Sequence, residues 1–176
     1  MITFEEVAQL YGLPWNAYFT QACSDLSQGQ IHQMVDKAIA LSAIISPKYV
    51  RATEHAEMVL STIRKRGDKN IIVSIALQER IVDFLRWIGL LHLVDDWMGV
   101  PKGDESDQLD VAKYKADRIR EYAADRFSRI VVIGDRETDI EAGLQVHATT
   151  ILCSSNTAAD TKADHKIRSL LQILDV

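Results

Sequence analysis

Cysteine is scarce in this sequence. Its two cysteines, Cys23 and Cys153, cannot build a disulfide framework, and neither lies in a CxxC or Cys/His cluster of zinc-ligand spacing. That usage points to a reducing, cytoplasmic setting. Three prolines and eight glycines in 176 residues exclude a collagenous or low-complexity chain. No stretch approaches the roughly 18 uninterrupted apolar residues of a membrane-spanning helix. The first residues, MITFEEVAQLYG, carry glutamates where a signal peptide needs a basic region and a long apolar run. Dense Lys/Arg runs are also missing, and 25 acidic residues against 20 basic ones give a net charge of −5. Both facts argue against nonspecific binding to nucleic acid or an anionic membrane. No GxGxxG follows a candidate strand, and there is no GxxxxGK[ST] phosphate loop and no HExxH. His32, His55, His92, His147 and His165 are scattered without ligand spacing and read as surface or packing residues.

What is present is a composition of 47% hydrophobic and 26% charged residues, that of a soluble globular protein able to bury a core. The first third reads as helix. Thr3 and Glu6 have capping-box spacing, and Phe4, Val7, Ala8 and Tyr11 recur on one helical face. Gly12 and Pro14 break that helix. Trp15, Tyr18, Phe19 and Ala22 suggest a second helix; its three aromatics could line a substrate pocket beneath a cap, but their helical spacing reads first as core. Ile31, Met34, Val35, Ala38, Ile39 and Ser42 suggest a third, ended by Ser46-Pro47. These helices form a region of residues 1–50.

Residues 51–176 then alternate helix and strand. Ala56, Val59, Leu60 and Ile63 share a helical face that stops near Gly67, and Asn70-Ile71-Ile72-Val73-Ser74 is a short apolar run suited to a strand buried on both faces. Ile81, Phe84, Leu85 and Ile88 give a helix ending at Gly89, followed by a weaker strand between Leu93 and Gly99. After a polar loop from Pro101 to Asp110, Ala112, Ala116, Ile119 and Ala123 mark another helix. Arg129 to Gly134 is the clearest strand. A short helix from about Asp139, a strand from Ala148 to Cys153 and a last helix holding Ile167, Leu170, Leu171 and Leu174 complete the chain. Strands alternating with helices predict an α/β fold, a Rossmann-like three-layer arrangement around a parallel sheet.

Ligands of open parallel sheets bind where the carboxyl ends of the strands meet their loops. The strand IVVIG runs directly into Asp135, and Asp139 follows in Gly-Asp-Arg-Glu-Thr-Asp. Two hard carboxylate ligands at one strand end suit Mg²⁺, which keeps its remaining positions for water and phosphate oxygens. Ser74 closes NIIVS, where a hydroxyl can donate to a phosphoryl oxygen. Lys113 and Lys115 open the helix leading into the Asp135 strand, and either can bring positive charge to a crowded anionic pocket.

Ser74 after NIIVS, Lys113 in Lys-Tyr-Lys-Ala-Asp, and Asp135 with Asp139 in VVIGDRETDIEAG resemble, in order, the second, third and fourth motifs of the haloacid dehalogenase (HAD) superfamily of hydrolases. The resemblance runs from about Ala52 to the last residue and is most specific in IVVIGDRETDIEAGLQVHATTILC. It implies a phosphatase-type site acting on a small phosphorylated metabolite. Ser74 would bind the transferred phosphoryl group, Lys113 would neutralise it and orient the nucleophile, and Asp135 with Asp139 would hold Mg²⁺. Lys115 rivals Lys113 for the lysine role. The helices of residues 1–50 resemble the mobile cap of that family.

One expected motif is missing. Members begin with a strand ending in Asp-x-Asp-x-Thr, whose first aspartate attacks phosphorus and whose second is general acid and base. The 176 residues contain no such sequence; Asp95-Asp96, Asp104 and Asp107 are wrongly spaced and wrongly placed. Only Met1 and Ile2 precede the first helix, which leaves no room for that strand. The expectation is a degenerate site without turnover by this chain alone. Alternatives are a noncatalytic protein binding a phosphorylated ligand or a partner, or one half of a split enzyme. The missing strand would be the central one, so the apolar edges of its neighbours would lie open. Either the strands close up, or a segment of this chain, a second copy or another protein fills the gap.

Overall fold

The computed structural model describes residues 13, 15–101, 109–124, 126–154 and 160–176. The first expected helix with its Thr3 and Glu6 cap, the break at Gly12 and Pro14, and Asp104 and Asp107 of the acidic loop lie outside the described residues.

Two helices come first, α1 (Trp15–Ala22) and α2 (Gln28–Tyr49). In α1 the expected aromatic stripe is packed ring on ring: Trp15 stacks on Phe19 at 5.8 Å between centroids, and Tyr18 meets Phe19 edge-on at 5.2 Å. Trp15 nevertheless stays 45% exposed, so this cluster is not buried core. At the start of α2 the Gln30 side-chain oxygen accepts from the Ser27 N–H at 2.9 Å, half of a capping box. The helix does not stop at Ser46-Pro47. It runs through Pro47 to Tyr49, and Val50 N–H still closes on the Ser46 carbonyl at 2.9 Å. Proline in the last turn deprives a single carbonyl of its donor, and the helix ends before a second turn would suffer.

The alternating region opens with α3 (Ala56–Lys65), β1 (Ile71–Leu77), α4 (Gln78–Trp87), a 3₁₀ turn (Leu91–Leu93) and β2 (Asp96–Val100). Gly67 (φ 90°) and Gly89 (φ 76°) lie just beyond α3 and α4 in the left-handed conformation that glycine adopts without steric cost. Then come α5 (Val111–Ala123), β3 (Val131–Gly134), α6 (Glu137–Gln145) and β4 (Thr149–Cys153). The expected last helix is absent as such. His165–Ile167 forms β5, parallel to β4, and Leu170–Asp175 is a 3₁₀ turn. Ile167 had the spacing of a helical face, but β4 offers a ladder edge, and burying Ile167 to 4% exposure beside it wins over local period. Gln172 and Ser169 cap the turn that follows, Gln172 accepting from Arg168 N–H at 2.9 Å.

Every strand pairing among the described residues is parallel. One core cluster joins Ala56 of α3 to Ile81 and Leu85 of α4 and to Leu90, Leu93 and Val94 ahead of β2. Asn70 locks that corner: buried to 6%, it donates its side-chain amide to the carbonyls of Leu60 and Leu93, both at 2.9 Å. Asp95 answers it, accepting from Asn70 N–H at 3.0 Å and donating its own N–H to Asn70 O at 2.8 Å. A second core lies under α5 and α6, where Ala116, Ile140, Ala142 and Ile151 are fully buried. The small residues of α5 and α6 let these helices lie close on the strands. A Cβ at Gly143 would stand 2.6 Å from the Thr150 methyl and 3.0 Å from Val132 Cβ.

Among the described residues the strands do not make one sheet. β1 pairs with β2, and β3 pairs with β4, which pairs with β5. Among the described residues nothing pairs with the other edge of β1 or of β3. A cavity of about 610 Å³ lies between those edges, walled by Ile71–Val73 on one side and Val131–Ile133 on the other. The expected gap is therefore present, and its flanking strands have not closed up.

Candidate functional site

The Asp135 loop is built from the strand upward. β3 ends at Gly134, Asp135 follows in the exposed turn, and α6 begins two residues later, with Asp139 in its first turn. Asp139 Oδ2 accepts from the Arg136 N–H at 3.2 Å, so the carboxylate caps its own helix and folds back over the strand end. It does so across Gly134: a Cβ there would lie 2.2 Å from Asp139 Cβ and 2.3 Å from both its Cγ and Oδ2. Glycine is the residue that leaves room for this carboxylate.

The other oxygen of Asp139 meets a lysine. Lys115 Nζ lies 2.5 Å from Asp139 Oδ1, with the two side chains 12% and 14% exposed. Lys113, the lysine first matched to the third motif, goes elsewhere. Its N–H is capped by the Asp110 carboxylate at 2.9 Å, and its amine pairs with Asp117 at 2.6 Å on the solvent face. The nearby Lys113 amine holds the Asp117 carboxyl below its usual range. Two positions apart on a helix means nearly opposite faces. Lys115 shares the inward side with Ala112, Ala116 and Ile119, so helical period separates the two lysines where linear spacing did not. Tyr114 helps fix the roll of α5 by donating its hydroxyl to the Gly99 carbonyl at 2.7 Å.

Ser74 lies inside a strand longer than expected, since β1 continues to Leu77 with a register irregularity after Val73. Its hydroxyl accepts from the Ala76 N–H at 3.1 Å, a local turn bond. No described bond joins Ser74 to Lys115 or Asp139.

Around this strand end stand residues that the motif reading passed over. Cys153, at the end of β4, has its thiol pushed up in pKa first by burial and then by the negative charge of Asp135, which places that carboxylate's field on the neighbouring strand end. Glu137, at the start of α6, accepts from the Thr161 hydroxyl at 2.8 Å and from Lys162 N–H at 3.3 Å. Asp164 accepts from both the N–H and the hydroxyl of Thr150 at 2.8 Å, and these bonds hold its carboxyl below the usual range. Thr150 is wholly buried and also accepts from Asp164 N–H at 3.0 Å. Together they tie residues 160–164 to α6 and β4. The only linear signal for these ties is polar residues bordering an apolar strand.

Among the described residues, no group of three or more His, Cys, Asp or Glu side chains is arranged to hold a metal ion. Asp135 and Asp139 are the two aspartates of this loop, and both oxygens of Asp139 are already bonded, to Lys115 and to the Arg136 N–H.

Known proteins share this arrangement of strands and helices. Residues 111–174 match the family described as HAD-hydrolase-like. A protein from Clostridium difficile described as a candidate phosphatase superposes with a TM-score of 0.77 at 16% identity, over 99% of this chain and 82% of that one. The fold is that of the haloacid dehalogenases. A haloacid dehalogenase-like hydrolase from Streptococcus pneumoniae agrees equally well, with a TM-score of 0.77 at 15% identity over 99% of this chain and 81% of its own. A predicted phosphoglycolate phosphatase from Haemophilus somnus gives 0.74 at 14% identity, over 99% and 82%. No curated protein sequence matches. Within the HAD fold the segment that carries the family match is the one that places Lys115, Asp135 and Asp139, and α1 and α2 form its helical cap region. No helix among the described residues is long and apolar enough to cross a membrane.

Proposed function

We propose that this chain is a phosphatase-type HAD domain whose strand-end site binds the phosphoryl group of a small phosphorylated metabolite together with Mg²⁺. The observation that carries the reading is the partly buried ion pair of Lys115 and Asp139, close in sequence to Asp135 at the carboxyl end of β3. Asp135 and Asp139 would hold the ion, which would neutralise phosphoryl oxygens when bound. Lys115 brings a fixed positive charge to the same place, where low exposure makes it count for more than in water. Ser74, on β1 across the cavity, is a hydroxyl donor for a phosphoryl oxygen once its local turn bond is given up. Lys113, bound to Asp117 in solvent, is the weaker candidate for the charge-neutralising role. In this reading residues 1–50 act as the cap and residues 51–176 as the core.

The 176 residues hold no Asp-x-Asp-x-Thr, so no carboxylate of this chain is assigned to attack phosphorus. Binding without turnover is the expected behaviour of this chain alone. A second reading, one half of a split enzyme, is favoured by the open edges of β1 and β3. A Mg²⁺-dependent assay on p-nitrophenyl phosphate tests the inactivity. The purified chain is expected to match buffer, and sustained turnover that disappears in Asp135→Asn would refute it.

A further inference from the structure

Lys115 meets Asp139 at one roll angle of α5, and the packing of that helix does little to fix the angle. Its buried residues are Ala112, Ala116 and Ala123. Methyl groups enter no groove deeply, so ridge-and-groove packing resists rotation weakly. Side chains reach about 5–6 Å from a helix axis, so a roll of about 20° carries an amine by roughly 2 Å, enough to undo the contact with Asp139. Tyr114 opposes such a roll. Its hydroxyl donates to the Gly99 carbonyl at 2.7 Å, and the Arg118 guanidinium, one turn on, lies 5.2 Å from the centre of its ring. Gly99 is itself a fixed point. Val73 faces Met98 and Leu77 faces Val100, so Ser74, Ile75 and Ala76 on β1 stand against Gly99 alone on β2, a bulge. A Cβ at Gly99 would lie 2.5 Å from the Ala76 carbonyl oxygen and 2.7 Å from Gln78 Cα, so the glycine is pressed onto that bulge. Ser74 belongs to it, accepting from Ala76 N–H at 3.1 Å. The Tyr114 bond therefore runs from the segment that shapes Ser74 to the residue beside Lys115. Arg66, which bonds the Leu174 carbonyl at 3.2 Å, joins the same two halves of the core, but at the end where β1 begins.

We propose that Tyr114 is a positioning residue of the strand-end site. Its bond to Gly99 holds α5 at the roll that delivers the Lys115 amine to Asp139, and ties that amine to the bulge carrying Ser74. The consequence for a phosphoryl group shared by Lys115 and Ser74 rests on the phosphatase reading; the placement of Lys115 does not.

The test is Tyr114→Phe in the full 176-residue chain, which removes one oxygen and keeps the ring under Arg118. A lysine ammonium held by a carboxylate exchanges its protons slowly and gives a resolved proton–nitrogen NMR signal. The parent is expected to show that signal for Lys115, assigned by its loss in Lys115→Met. Tyr114→Phe should lose it or exchange it about tenfold faster, the size expected from one lost hydrogen bond. Tyr122→Phe is the control on the same helix, where the ring stacks on Phe127, and its Lys115 signal should match the parent. Calorimetry with Mg²⁺ and inorganic phosphate gives the second readout: affinity should fall about tenfold in Tyr114→Phe and not in Tyr122→Phe. No Lys115 signal in the parent, or an unchanged one in Tyr114→Phe, overturns the inference whatever phosphate does. A parent that shows the signal but binds no phosphate overturns the phosphatase reading and leaves the placement of Lys115 to the NMR comparison. Circular dichroism of Tyr114→Phe should match the parent. If it does not, the parent is warmed toward its melting midpoint, where the Tyr114 hydroxyl and Lys115 ammonium signals should vanish together; loss of the first with the second intact overturns the inference.

Discussion

Replacing Gly134 by alanine tests the geometry of the site at one atom. The added Cβ would sit 2.2 Å from Asp139 Cβ and 2.3 Å from its Cγ and Oδ2, against the 3.5–4.0 Å at which carbon atoms rest comfortably. Asp139 must retreat by more than an ångström, and its neighbours limit where it can go. Oδ1 is held by Lys115 at 2.5 Å and Oδ2 by Arg136 N–H at 3.2 Å, and the next residue, Ile140, is wholly buried. Crowding of this kind costs about 1–3 kcal/mol. For a chain of this size, a melting midpoint moves about 2–4 °C per kcal/mol, so Gly134→Ala should melt some 2–12 °C below the parent. Gly29→Ala is the matched control: nothing lies within 4 Å of its Cβ, in the first turn of α2, and alanine there should be neutral or slightly stabilising. Differential scanning calorimetry of the three proteins reads both effects. A Gly134→Ala protein melting with the parent would mean that Asp139 does not fold over the strand end, and the site as described would be wrong.

Acid should weaken the fold through two carboxylates. Asp95 is held below the usual range by Asn70 N–H and Lys69, against an opposing push from burial, and Asp164 by the N–H and hydroxyl of Thr150. Depressed native pKa values contribute stability that is complete above the unfolded value of about 3.9 and is lost as pH falls through the native values. Urea midpoints should therefore hold from pH 6 to pH 5 and fall below pH 4, less steeply in Asp164→Asn; an unchanged midpoint at low pH would refute the assignment. In a Cys23→Ser background, Cys153 should react with iodoacetamide at pH 8 more slowly than free cysteine, because burial and Asp135 raise its pKa. Reaction at the free-cysteine rate would place the thiol outside the Asp135 field.

Much of this architecture was legible before any coordinate. Periodicity located the helices from Trp15 onward that the structure describes, and apolar runs located β1, β3 and β4, because these elements bury one stripe or both faces and must be written that way. β5 was missed because a three-residue strand is defined by the edge of β4 rather than by its own pattern. Pro47 misled because a breaker in the last turn breaks almost nothing. At the site, Asp135 and Asp139 stood out by sequence alone, while the two lysines could be separated only once α5 had a roll angle. Thr150, Asp164 and Asn70 act through bonds between residues distant in sequence, and nothing local marks them. The gap between β1 and β3 was foreseeable from a motif that the 176 residues do not contain, and its openness was a matter for the structure.

The central claim is that Asp135, Asp139 and Lys115 form a site for Mg²⁺ and a phosphoryl group. Calorimetric titration of Mg²⁺ into the chain in the presence of inorganic phosphate tests it most directly. The account predicts saturable heat that is lost in Asp135→Asn and in Lys115→Met, and equal titrations for all three proteins would contradict it.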